Sequence, residues 1–154
     1  MDPFKLLKED HSKVKSLFRE YEDAGDRAFR SKERIARIVF EELALHERIE
    51  EEIFYPTVRG GASKQGVEIV LEGYEEHHVV DLLIAELKGM SVEDENYDAK
   101  FTVLTENVEH HIEEEEDEMF HEARKALGRT ADDVGNRMLR LKEQMTKTTA
   151  TGRR

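Results

Sequence analysis

The chain contains no cysteine, so disulfide frameworks, thiolate metal sites and cysteine nucleophiles are excluded. Tryptophan is also missing, aromatic residues make up 7% and there are two prolines. That is a poor supply for an all-β domain, which draws on aromatic and β-branched residues. No uninterrupted apolar run approaches the roughly 18 residues of a membrane helix, and no basic segment leads into an apolar leader. Positive charge is in deficit: 24 Lys and Arg against 36 Asp and Glu leave a net charge of -12. Such a surface repels phosphate backbones and anionic headgroups, so neither nucleic acid nor a membrane is an expected partner. No Ser/His/Asp constellation for nucleophilic catalysis stands out. A cytoplasmic protein is expected, monomeric or weakly homo-oligomeric.

What is present is helical periodicity over 154 residues, a length for one domain. Asp2-Pro3 suits a helix start, with Asp as cap and Pro at the first helical position. Phe4, Leu7, His11, Val14, Phe18 and Tyr21 then share one face, and Gly25-Asp26 breaks it. A second stripe runs Ala36, Val39, Leu43, His46, Glu50 and Ile53, stopped by Pro56 with Gly60-Gly61. Ser63 can cap a third helix, along which Val70, Tyr74, His77, Ile84 and Leu87 align before Gly89. The fourth carries Phe101, Leu104, Val108, His111, Glu115 and Met119 and ends near Gly128. Thr130 with Asp133 resembles a capping box for a short fifth helix to about Met145, followed by a frayed tail from Thr146 to Arg154. The expected fold is all-α: an antiparallel up-down-up-down four-helix bundle over residues 1–128, with residues 129–154 completing the same domain.

Each of the first four stripes holds residues that are costly to bury. His11, His46, Glu50, His77, His111 and Glu115 all fall in register with apolar positions, where something must satisfy them. The chain also repeats itself. Asp10-His11 with Val14 resembles Glu76-His77 with Val80, and His46 with Glu50-Glu51 resembles His111 with Glu115-Glu116. The offsets for His11/His77, His46/His111 and Glu50/Glu115 are 66, 65 and 65 residues, so a helix pair is duplicated and its inward groups meet about a pseudo-two-fold. His and Glu four apart lie on one helical face. Four imidazoles and two carboxylates suit first-row transition metals, since calcium and magnesium favour oxygen ligands. One tetrahedral zinc would not use all six. Two metals, each with two histidines and bridged by both carboxylates, would use every group and keep coordination positions open.

The pattern His11, His46-x-x-x-Glu50, His77, His111-x-x-x-Glu115 resembles the hemerythrin-like, or HHE cation-binding, domain. The strings HERIEEEIFYP and HIEEEEDEMFH match its two characteristic segments, and the resemblance covers roughly residues 3 to 128. It implies a non-haem di-iron centre, two iron ions with an oxo or hydroxo bridge. Glu50 and Glu115 would bridge them, His11 and His46 would hold one iron, and His77 and His111 the other. Dioxygen, peroxide or nitric oxide is the implied ligand, for sensing, storage or detoxification. A catalase-like or peroxidase-type enzyme and an iron-sensing module are the alternatives. Oxygen-carrying hemerythrins place a further histidine one turn after the third-helix ligand, where this chain has Asp81. His121 stands where the family segment often has proline.

Neighbouring residues have plainer readings. His78 and His110 lie about 100° round the helix from His77 and His111 and miss the repeat offsets. His121 is expected on the surface, and the acidic run Glu113 to Glu118 on a solvated face, apart from Glu115. Asp81 is open between metal ligand, acceptor behind a ligand and surface acid. Tyr74 reads as a core packer within reach of a bound oxygen species, and Tyr55 as lying beyond Glu50 toward the helix end.

Overall fold

The computed structural model of the chain describes residues 1–152, with side chains through Thr148. Helix α1 spans Pro3–Asp23, with the Asp2 carboxylate accepting from the Phe4 and Lys5 amides. The second rod is α2, Phe29–Ile49, a π-helical turn at Glu50–Phe54, and α3, Tyr55–Gly61. Helix α4, Lys64–Lys88, starts on Ser63, whose hydroxyl accepts from the Gly66 amide. The fourth rod repeats the second: α5, Tyr97–Glu114, a π-helical turn at Glu115–Met119, and α6, Phe120–Leu127. Among the described residues Gly128 alone takes a positive φ, 50°, a conformation that costs glycine little. It ends α6 and lets a short 3-10 turn lead into α7, Ala131–Gly152.

Pro56 does not stop its helix. In the preceding π turn the Tyr55 amide bonds to the Glu50 carbonyl, five residues back. This wider loop opens the ladder where a proline ring would otherwise collide with the carbonyl behind it. The rod therefore continues to Gly61. The last helix is also longer than its sequence pattern suggests, passing Met145 to Gly152. No proline or glycine interrupts it after Gly135 until that point, and the Thr146 and Thr148 hydroxyls fold back onto the Lys142 and Gln144 carbonyls. Of the expected frayed tail, Arg153 and Arg154 lie outside the described residues. Thr130 donates its hydroxyl to the Leu127 carbonyl at 2.6 Å, so it closes the turn behind it.

The apolar core is in two parts. One contains Val14, Phe18, Val39, Leu43, Val80, Ile84, Leu104 and Val108. The other contains Phe4, Leu7, Ile49, Phe54, Val70, Met119, Phe120 and, from α7, Val134 and Met138. Along every rod the histidines and glutamates of the stripes fall between these two parts. These histidines and glutamates thus form one layer across the bundle, with apolar walls above and below. No helix among the described residues is long and apolar enough to cross a membrane.

Candidate metal centre

The four stripe histidines and two stripe glutamates are all buried, and their side-chain tips converge. Glu50 Oε1 lies 3.1 Å from both His46 Nε2 and His77 Nε2. Glu115 spans the layer: Oε1 is 3.1 Å from His11 Nε2, and Oε2 is 3.1 Å from His111 Nε2. His11 and His46 bring their Nε2 atoms within 3.2 Å of each other, and the His77 and His111 rings meet edge to face. All four imidazoles therefore aim Nε2 at the same pair of carboxylates.

The opposite ring nitrogens are each held by a second carboxylate. His11 Nδ1 faces Glu116 at 2.7 Å, His46 Nδ1 faces Asp10 at 3.0 Å, His77 Nδ1 faces Glu51 at 2.9 Å and His111 Nδ1 faces Glu76 at 2.7 Å. A carboxylate only accepts, so each contact keeps a proton on Nδ1, and a cation that displaces the proton on Nε2 would find that lone pair aimed at it. These acceptors obey the repeat as well, Asp10 with Glu76 and Glu51 with Glu116. Glu116 is therefore a correction to the solvated reading of the acidic run. Its signal was the doubled Glu-Glu in both halves, which the helical stripe alone does not single out.

Tyr55 is the residue that sequence reasoning placed too far away. It is fully buried and donates its phenol to Glu115 Oε2 at 2.7 Å, with His77 and His111 Nε2 at 3.3 and 3.4 Å. Five residues of regular helix would set Tyr55 about 140° round from Glu50. The π turn starts at Glu50 and underwinds that arc, bringing the ring inward. Gly73 makes room, since a Cβ there would meet the phenol oxygen at 2.9 Å. Tyr74 instead points its hydroxyl at the Glu51 carbonyl.

Asp81 is exposed and hydrogen-bonds Glu47, a buried acid beside His77. His78 and His121 are exposed, and His110 pairs at the surface with Glu114, four residues on.

Charge in the metal-free layer is strongly coupled. Burial pushes the His46 imidazole down, but the Glu50 charge and the bonds from Asp10 and Glu115 lift it well above the ordinary histidine range. Burial likewise opposes, and Glu50 and Glu51 outweigh it at, His77, which rises to about 9. His111 rises for the same reasons, chiefly against the Glu115 charge. Burial drives Glu115 up, yet its bonds with Glu50 and the facing imidazoles hold it well below the carboxylate range. Burial, then the Glu115 and Glu50 charges, keep the Tyr55 phenol protonated. Glu47 is pushed to about 9 by burial and then by its bond to Asp81.

One buried side-chain polar atom among the described residues has no hydrogen-bond partner, Glu50 Oε2. A stranded carboxylate oxygen inside a ring of imidazoles is what a missing cation would satisfy. Within the layer, Glu50, His77, His111 and Glu115 form one donor group, and His11, His46 and Glu115 another, with donor atoms inside 4.8 Å of one another. The donors fit transition-metal ions. A cavity of about 20 Å³ adjoins them, walled by Val14, Leu43, Val80, Val108 and Ile112 as well as the histidines and Glu47.

Fold and site together define a helical bundle built around a buried layer of histidines and carboxylates that could hold a cation. The chain belongs to the hemerythrin HHE cation-binding domain family, whose model matches residues 2–123. It is similar in structure to a hemerythrin HHE cation binding domain-containing protein from Mycobacterium kansasii, with TM-score 0.84 and 20% identity over 98% of this chain and 91% of that one. It is also 29% identical over 122 residues to a DNA nickase from Nostoc sp., a match covering 79% of this chain but 33% of the relative. The chain thus corresponds to about a third of that longer protein.

Proposed function

We propose that the chain is a non-haem di-iron protein that binds or reacts with dioxygen, peroxide or nitric oxide, in sensing, storage or detoxification. His11 and His46 would hold one iron, His77 and His111 the other, with Glu50 and Glu115 bridging. The observation that carries this reading is the doubled shell: four Nε2 atoms around two buried carboxylates, each ring clamped from behind by an acid. When bound, such an iron pair supplies exchangeable coordination positions and one-electron redox chemistry. The apolar walls of the adjoining cavity keep bulk water out, and its volume admits about one small molecule.

Turnover of peroxide, rather than reversible carriage, is favoured by Glu47. It lines that cavity, and in the metal-free layer burial raises its pKa to about 9, with a bond to the exposed Asp81. Such a carboxyl can deliver a proton, which peroxide turnover needs and simple carriage does not.

Metal analysis of protein purified aerobically from iron-replete cells tests the main reading, with about two irons per chain expected. One tightly held zinc and no iron would overturn it. Exposure of the reduced protein to oxygen and then to peroxide separates the two modes. Rapid irreversible oxidation with sustained peroxide loss supports turnover, and a stable adduct that reverses on deoxygenation supports carriage.

A further inference from the structure

The four acids behind the histidines are not equivalent. Side chains of Glu116, Glu51 and Glu76 keep 31%, 38% and 28% exposure, whereas Asp10 keeps 6%. Asp10 is cut off from water by α7, which packs on α1, α2 and the first π turn. Its Oδ2 takes the His46 ring N–H at 3.0 Å, and its Oδ1 takes Lys142 Nζ, from α7, at 2.5 Å. A carboxylate so enclosed is costly to leave half-paired.

We infer that Lys142 is a positioning residue of the metal centre: it anchors Asp10, and Asp10 in turn sets the orientation and ring proton of His46. The inference rests on the di-iron reading above. Helix α7 lies beyond residues 2–123 covered by the family model, so this control reaches one side of the centre from outside the matched segment. Electrostatics give the direction. Removing the ammonium takes a positive charge from beside the site and frees Asp10 to pull harder on the His46 N–H. A more basic imidazole and one less cation both favour the ferric state.

The test compares Lys142→Met, Lys142→Arg and Met138→Ala with the unsubstituted protein by iron content, far-ultraviolet circular dichroism, visible absorption and midpoint potential. Met138 is a buried α7 residue, so its truncation loosens helix docking without touching the ion pair. Lys142→Met is expected to keep the helical signal and both irons while shifting the absorption bands and lowering the potential. Lys142→Arg should restore both readouts, and Met138→Ala should lower the melting temperature alone. Unchanged potential and absorption in an iron-loaded Lys142→Met protein would overturn the inference and leave the di-iron reading standing. So would an equal shift in Met138→Ala. An unsubstituted protein that binds no iron would remove the di-iron reading and this inference with it.

Discussion

Helices α1–α3 and helices α4–α6 turn matching side chains toward the centre and unlike ones toward their surroundings. His11, His46, Glu50 and the acids Asp10 and Glu51 have counterparts in His77, His111, Glu115, Glu76 and Glu116. One shell outward the likeness fails. Leu6, Ile49 and Ile53, buried beneath α7, correspond by the same offsets to Glu72, Glu114 and Glu118, none of them buried. Tyr55 corresponds to Phe120, and Leu7 to Gly73. Groups that converge on one buried layer are constrained alike in both halves, because they must fit the same small volume. Outer faces answer to what covers them, and one half alone carries a fifth helix.

The largest break in this symmetry should come from Glu115, whose two oxygens reach both histidine pairs. Glu115→Ala should empty the whole centre, whereas His111→Ala should weaken chiefly the side of His77. Elemental analysis of both variants checks this, and retention of two irons by Glu115→Ala would refute the spanning role.

A second contrast concerns cover. Met138→Ala, in the apolar seam between α7 and the first half, should cost about 2–5 kcal/mol. Glu118→Ala, on the matching outer face of the second half, should stay within about 0.5 kcal/mol. Urea unfolding of metal-loaded protein measures both. Equal costs would mean that α7 is not what distinguishes the halves.

Protonation offers a third. In metal-stripped protein His77 keeps its proton to about pH 9, against roughly 6.5 when unfolded. Its contribution is therefore complete below about pH 6.5 and lost by about pH 9. Glu47, also protonated to about 9 when folded, acts in the same direction because the folded state binds more protons. The melting temperature of stripped protein should fall across that window, while metal-held imidazoles flatten the curve of the loaded protein. Parallel curves would tell against a metal on these rings.

The Tyr55/Phe120 difference should show in optics more than in stoichiometry. Tyr55→Phe removes the bond to Glu115 and should shift the visible bands with both irons kept. Gly73→Ala should imitate it by displacing the phenol. An unaltered spectrum in both would make Tyr55 a packing residue. Smallest of all, His110→Ala should change neither iron content nor spectrum, since that ring pairs with Glu114 at the surface.

Number and order of the helices were legible because apolar residues recur at helical spacing, and Asp2, Ser63 and Gly128 punctuate them as their backbone chemistry requires. That six histidines and glutamates turn inward was legible because burial makes polar residues on an apolar stripe conspicuous, and duplication names them twice. Tertiary structure decided what periodicity assumes away. The π turns at Glu50 and Glu115 change the helical pitch locally, so a regular wheel sends Tyr55 to the wrong face, and Glu116 reaches His11 from beside the stripe. It also decided that α7 lies on the first half and carries Lys142 to Asp10, 132 residues apart in the chain. A contact at that separation depends on how whole helices pack, which no local pattern encodes.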